Sequence, residues 1–227
     1  IVTWHTYGAG TVYGVYGQRF NSAGMKIGSE FKISTYAVSV QAQSAVAMDD
    51  DGDAFVTWQS YFQDGDHYGV YGQRYDSAGM KVGGEFQIST YTTGPQRFAS
   101  VAMDADGDAV VTWESLQDGN VLGIYGQRFN SAGLKVGGEF LVNTHTTGGQ
   151  RNPSVAVDAD GDAVIIWQSV GQDGDMYGIY GQRYNAAGTK AGGEFQVNTY
   201  TTNFQANPIV AMDADGDAIV TWHSNHQ

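Results

Sequence analysis

Ser100-Val101-Ala102-Met103-Asp104-Ala105-Asp106-Gly107-Asp108-Ala109-Val110-Val111-Thr112-Trp113 is the stretch whose reading decides the fold. Two short segments rich in β-branched and apolar residues flank five residues that favour a tight turn. Asp side chains bond back to nearby main-chain N–H groups, and Gly accepts positive φ at no steric cost. The stretch therefore predicts a strand, an acidic turn and a second strand ending on Trp113.

Working outward, Trp113 has counterparts at Trp4, Trp58, Trp167 and Trp222, spaced alternately by 54 and 55 residues. A Tyr-Gly-Gln-Arg motif keeps the same period, with its arginine at Arg19, Arg74, Arg128 and Arg183. A Glu-Phe pair follows each, at Glu30, Glu85, Glu139 and Glu194. Three markers on one period define tandem repeats. Residues 1–227 read as a single repeat domain with periods 1–54, 55–109, 110–163 and 164–218, followed by a duplicated strand in 219–227.

Each repeat predicts four strands: Ser100–Met103, Ala109–Trp113, Gly123–Phe129 and Glu139–Thr144 in the period quoted above. No stretch sustains a helical period. The second strand is apolar on both faces, which suits sheets stacked between sheets around an axis. The expected class is all-β, a four-bladed β-propeller of four-stranded repeats. Ile1-Val2-Thr3-Trp4-His5 recurs as Ile219-Val220-Thr221-Trp222-His223. In a closed ring the C-terminal strands complete the blade begun at the N-terminus, leaving one copy spare for pairing with another chain. An open array is the alternative.

Asp-x-Asp-Gly-Asp occurs four times, and its three fixed aspartates account for twelve of the 24 acidic residues. These are Asp49, Asp51 and Asp53; Asp104, Asp106 and Asp108; Asp158, Asp160 and Asp162; and Asp213, Asp215 and Asp217. Three carboxylates along one tight turn suit a hard cation such as calcium, which takes six to eight oxygens in irregular loops. The other reading is a plain turn held by Asp side chains.

Pro153-Ser154-Val155-Ala156-Val157-Asp158-Ala159-Asp160-Gly161-Asp162-Ala163-Val164 resembles the strand–acidic loop–strand core of integrin-type (FG-GAP) propeller repeats. The whole repeat, with its Gln-Asp-Gly-Asp and Tyr-Gly-Gln-Arg-Tyr-Asn-Ala-Ala-Gly segments, is also similar to modules of large secreted bacterial adhesin-like proteins. The resemblance implies a propeller, calcium in the acidic loops, and a place outside the cell or on its surface.

The net charge of −13, with only 11 Lys and Arg, excludes nucleic acid as a partner. No run is long and apolar enough to insert in a membrane, and the absence of Cys removes thiolate sites. His5 and His223 are equivalent, whereas His67, His145 and His226 do not repeat, and no zinc-ligand spacing appears.

A second acidic loop, Gln63-Asp64-Gly65-Asp66, recurs as Gln117-Asp118-Gly119-Asn120 and Gln172-Asp173-Gly174-Asp175, but the first repeat has Tyr7-Gly8-Ala9-Gly10. The Tyr-Gly-Gln-Arg strand offers stacking and hydrogen-bonding groups for a sugar; alternatively its arginine pairs with the repeat's own glutamate, as Arg74 with Glu85. No nucleophile triad stands out, and the departures from the repeat, Arg97, Glu114, Arg151 and Phe204, form no recognisable set. The expectation is a non-catalytic binding or adhesion module, lectin-like, taking a carbohydrate or protein ligand through residues that the sequence leaves unspecified. Its alternative is a structural assembly unit that self-associates through its terminal strands.

Overall fold

In the computed structural model, which describes residues 1–8, 11–117, 119 and 121–225, the acidic turns and their flanking segments form antiparallel hairpins. Ala9 and Gly10, Asp118 and Asn120, and His226 lie outside the described residues. A leading sheet contains β1 (Val2–Gly8), β2 (Thr11–Phe20) and β3 (Lys26–Lys32). Three complete blades follow. The first is β4 (Gln41–Met48), β5 (Ala54–Tyr61), β6 (Tyr68–Tyr75) and β7 (Lys81–Gln87). The second is β8 (Gln96–Met103), β9 (Ala109–Ser115), β10 (Gly123–Phe129) and β11 (Lys135–Leu141). The third is β12 (Gln150–Val157), β13 (Ala163–Val170), β14 (Tyr177–Tyr184) and β15 (Lys190–Gln196). A trailing pair, β16 (Gln205–Met212) and β17 (Ala218–Ser224), ends the fold. Among the described residues no helix is long and apolar enough to cross a membrane.

Alternation along the second strand of each blade dictates the stacking, because successive side chains point to opposite faces. Val110 of β9 faces forward with Ile124 and Val142, and meets Val155, Ile165, Trp167 and Tyr180 of the third blade. Val111 and Trp113 face backward onto Phe55, Val70 and Ile88 of the first. The same interface recurs between the leading sheet and the first blade, through Val15 and Ile33 against Val56, Trp58 and Tyr71. Trp58, Trp113 and Trp167 are fully buried by it. The blades are thus held by repeated apolar interfaces, with each tryptophan at the centre of one.

The Tyr-Gly-Gln-Arg and Glu-Phe motifs have one structural explanation. The tyrosine sits opposite the blade's tryptophan, as Tyr125 opposite Trp113. The glycine sits opposite the Phe of the last strand, as Gly126 opposite Phe140, and a Cβ there would stand 2.6 Å from the Phe140 ring. The glutamine fills the bulge that follows: Gln127 Nε2 donates to the carbonyls of Arg128, Val136 and Gly137.

The arginine reaches forward to main-chain carbonyls of the next blade, as Arg74 to Asn130 and Gly107. The glutamate reaches back: Glu85 accepts from Thr35 N–H and hydroxyl. The expected Arg74–Glu85 pair is therefore not formed, because each charge joins a different neighbouring blade. Tyr71, Tyr125 and Tyr180 are buried, so the strand does not present a sugar-stacking face.

Three further expectations are corrected. The outer strand of the second blade is Lys135–Leu141, not Glu139–Thr144, because its exposed Lys-Val-Gly-Gly start pairs with Arg128 and Phe129 before the bulge. The inner strand begins at Gln96, ahead of a bulge between Arg97 and Ser100. Among the described residues the terminal strands do not complete a blade together: β16 pairs with β17, β1 pairs with β2, and no strand joins the two sheets. Their outward faces are open accordingly, with Ile219 67% and Val2 54% exposed. The β-propeller architecture holds; the closing blade is absent from the pairing among the described residues.

Candidate functional site at the mouths of the axial cavity

The inner strands β4, β8, β12 and β16 line a pocket at each of their two ends. One mouth, about 170 Å³, is lined by the first aspartate of each acidic turn, Asp49, Asp104, Asp158 and Asp213. The three carboxylates expected to converge on calcium do not act together. The first accepts within its own turn: Asp104 Oδ1 takes the N–H groups of Asp106 and Asp108. Asp158 and Asp213 repeat this with Asp160 and Asp162, and with Asp215 and Asp217, and Asp49 accepts from Asp53 N–H.

The third aspartate caps the neighbouring turn of the same blade. Asp53, Asp108 and Asp162 accept from Ser77, Ser131 and Ala186 N–H groups at 2.7–2.8 Å. The middle residues Asp51, Asp106, Asp160 and Asp215 point into solvent. Burial pushes the Asp104 carboxyl above its usual range. Among the described residues no group of three His, Cys, Asp or Glu has the geometry of a metal site. The donor set fits a turn held by Asx hydrogen bonds rather than a cation cage. Addition of a chelator is expected to leave the calorimetric melting temperature unchanged, and a fall of several degrees would show that a cation bridges the turns.

The opposite mouth opens into a cavity of about 430 Å³. Its rim includes Gln43, Phe98, Asn152 and Asn207, the bulged residues of the four inner strands, all with φ between 50° and 53°. Non-glycine residues in this region are strained by roughly 1–3 kcal/mol each and persist only where the surroundings hold them; they gather at functional sites. Here the residue after each blade's tryptophan does the holding. Gln59 accepts from Phe98 N–H, Glu114 from Asn152 N–H and Gln168 from Asn207 N–H. Asn152 Nδ2 also donates to Asn207 Oδ1 at 2.8 Å and to Gln168 Oε1 at 3.1 Å.

Glu114 is the departure in this series, a carboxylate where the flanking blades have an amide. It is 1% exposed. Burial raises its pKa above the ordinary glutamate value; the Asn152 N–H, Arg97 and Arg151 oppose that shift without cancelling it. Arg97 lies directly across the β8–β9 ladder and donates Nε to Glu114 Oε2 at 3.2 Å, with its guanidinium over the Phe98 ring.

Three of the four departures that formed no set in the sequence are therefore one cluster. Phe204 stands apart, stacked on Tyr177. The available signal was symmetry breaking: Arg97 and Arg151 replace Ala42 and Ala206 at one position of the repeat, and Glu114 replaces Gln59 and Gln168 at the position facing it.

Repeated four-stranded sheets stacked about an axis define a β-propeller, and the comparisons agree. The chain is similar to the endo-arabinase of Bacteroides thetaiotaomicron, at 15% identity and a TM-score of 0.51, over 99% of this chain and 85% of the enzyme. It is similar to an α-L-arabinofuranosidase of Lactobacillus brevis, at 12% identity and a TM-score of 0.50, over 87% of this chain and 78% of the other. A Dyadobacter fermentans protein of unknown function aligns at 9% identity and a TM-score of 0.58, over 82% and 62% of the two chains. No protein-family model and no curated protein matches the sequence.

At these identities the likeness establishes the fold. The expectation of a non-catalytic adhesion or assembly module finds no counterpart among them: two of these three structures are glycoside-cleaving enzymes. The expectation that Arg97, Glu114 and Arg151 form no set is corrected by the cluster they make behind the rim residues Phe98 and Asn152.

Proposed function

We propose that the chain processes carbohydrate in the cavity whose rim residue Asn152 is held by Glu114. The observation that carries this reading is a buried carboxylate of raised pKa, unique to one blade and bonded to Asn152 N–H, on the rim of an open cavity that four strained residues surround. The shared fold with an endo-arabinase and an arabinofuranosidase supports it. A carboxyl whose pKa is lifted by burial is suited to acid–base work near neutral pH. Phe98 supplies an apolar face for a sugar ring, and Asn152 and Asn207 supply amide groups for hydroxyls.

The test uses Glu114→Gln, which keeps an acceptor for Asn152 N–H as Gln59 and Gln168 do for their neighbours, and removes the ionisable group. Wild type is expected to release reducing ends from arabinan or xylan, and the variant to lose about 10²-fold or more of that rate while remaining folded. Absence of release by wild type, or equal rates in both proteins, would overturn the reading.

A further inference from the structure

Nearly all the cations of this chain near a blade interface are spent on joining blades. Arg74 and Arg183 donate to main-chain carbonyls of the following unit, and Arg19 and Arg128 do the same. Lys81, Lys135 and Lys190 donate Nζ to the carbonyls of Ile33, Ile88 and Val142 in the preceding one.

Arg97 and Arg151 are different. They replace alanine in the bulge, and each immediately precedes a rim residue, Phe98 and Asn152. Arg97 commits only Nε, to Glu114, and its side chain is 29% exposed. Arg151 lies over Gly149, and its Nε is enclosed without a hydrogen-bond partner. Its charge acts on the same Glu114 carboxylate. Two guanidiniums against one carboxylate leave a local positive charge in a chain whose net charge is −13, with most of their N–H donors uncommitted.

We propose that the glycan taken at this mouth is anionic: a uronate-containing polysaccharide whose carboxylate is held by Arg97 and Arg151. The inference rests on carbohydrate being the ligand of this cavity, and adds the charge of the sugar. Guanidinium groups recognise carboxylates through paired, charge-assisted hydrogen bonds. Arg97 makes the hydrogen-bonded ion pair with Glu114, whereas Arg151 acts on that carboxylate through charge alone and its Nε makes no hydrogen bond.

The test is calorimetric titration of the intact chain with polygalacturonate, with neutral arabinan and with dextran sulfate. Polygalacturonate is expected to bind about tenfold or more tightly than arabinan, with the preference shrinking at high salt. Arg151→Gln, which leaves the Arg97–Glu114 pair in place, is expected to bring the two affinities close together. Circular dichroism of that variant should match wild type, and Arg151→Lys should restore part of the preference.

Equal binding of arabinan and polygalacturonate, unaltered in Arg151→Gln, would overturn the charge assignment and leave carbohydrate processing standing. Binding of dextran sulfate without polygalacturonate would overturn the uronate. No binding of any polymer would overturn both readings.

Discussion

Trp113→Ala is expected to lose about 3–5 kcal/mol of stability, the range for truncating a buried aromatic, and to melt roughly 10 °C or more below wild type. Trp113 is fully enclosed at the interface between the first and second blades, packed in one buried cluster with Phe55, Val70 and Ile88. Trp222 occupies the same place in the repeat but lies in the trailing pair, whose outward face is uncovered. Trp222→Ala removes a ring that is only half buried, and is expected to cost about 1–2 kcal/mol on the ordinary scale of apolar burial. Calorimetry of the two variants decides the matter. Equal losses would mean that the ends of the repeat are as tightly packed as its middle, contrary to the open faces of β1 and β17. In stacked repeats stability is close to a sum of interface terms, so hydrogen exchange is expected to be slowest in β9 and β13 and fastest in β17.

Most of the fold was legible in the sequence because the information for it is repeated. Trp113, the Tyr-Gly-Gln-Arg segment and the acidic turn each recur on one period, and every copy serves the same interface. The boundaries were less legible. Exposed Lys135-Val136-Gly137-Gly138 has the composition of a loop, yet pairs with β10 because the bulge filled by Gln127 lets the ladder continue. The partners of charged side chains were illegible for a different reason. Arg74 and Glu85 are close in the chain, but the blade stack gives each a partner on a different neighbouring unit.

The acidic turns were legible as turns. Their grouping as a cation site was not, since Asp104 and Asp108 each find amides first. The candidate site was hidden by its small size: Arg97, Glu114 and Arg151 are far apart in sequence and meet only because a residue after the tryptophan in one blade reaches the bulge of the next.

That bridge joins stability to the proposed chemistry at Glu114, and its two substitutions should separate them. Glu114→Ala strands the Asn152 N–H and leaves Arg97 without its counter-charge, a loss of about 3–5 kcal/mol for breaking a buried pair. Glu114→Gln retains the acceptor and should cost far less. The two proteins also differ in pH dependence, with a definite sign. Burial holds the folded-state pKa of Glu114 above the ordinary value of 4.5, so the native protein retains this proton more strongly than the unfolded chain does. The stabilisation from that proton is complete below the unfolded pKa, and is lost as pH rises through the folded one. Wild type should therefore lose stability relative to Glu114→Gln as pH climbs from about 4.5, until the folded-state carboxyl has ionised, and the difference should then stay constant. The raised Asp64 and Asp104 and the lowered Asp66 are common to both proteins and cancel in the comparison. Parallel denaturation curves across that range would show that Glu114 titrates alike in both states, and would remove the acid–base argument for its role. A divergence in stability matched by an activity limb at the same pH would tie the proton on Glu114 to the reaction, because a merely structural ion pair has no reason to set the rate.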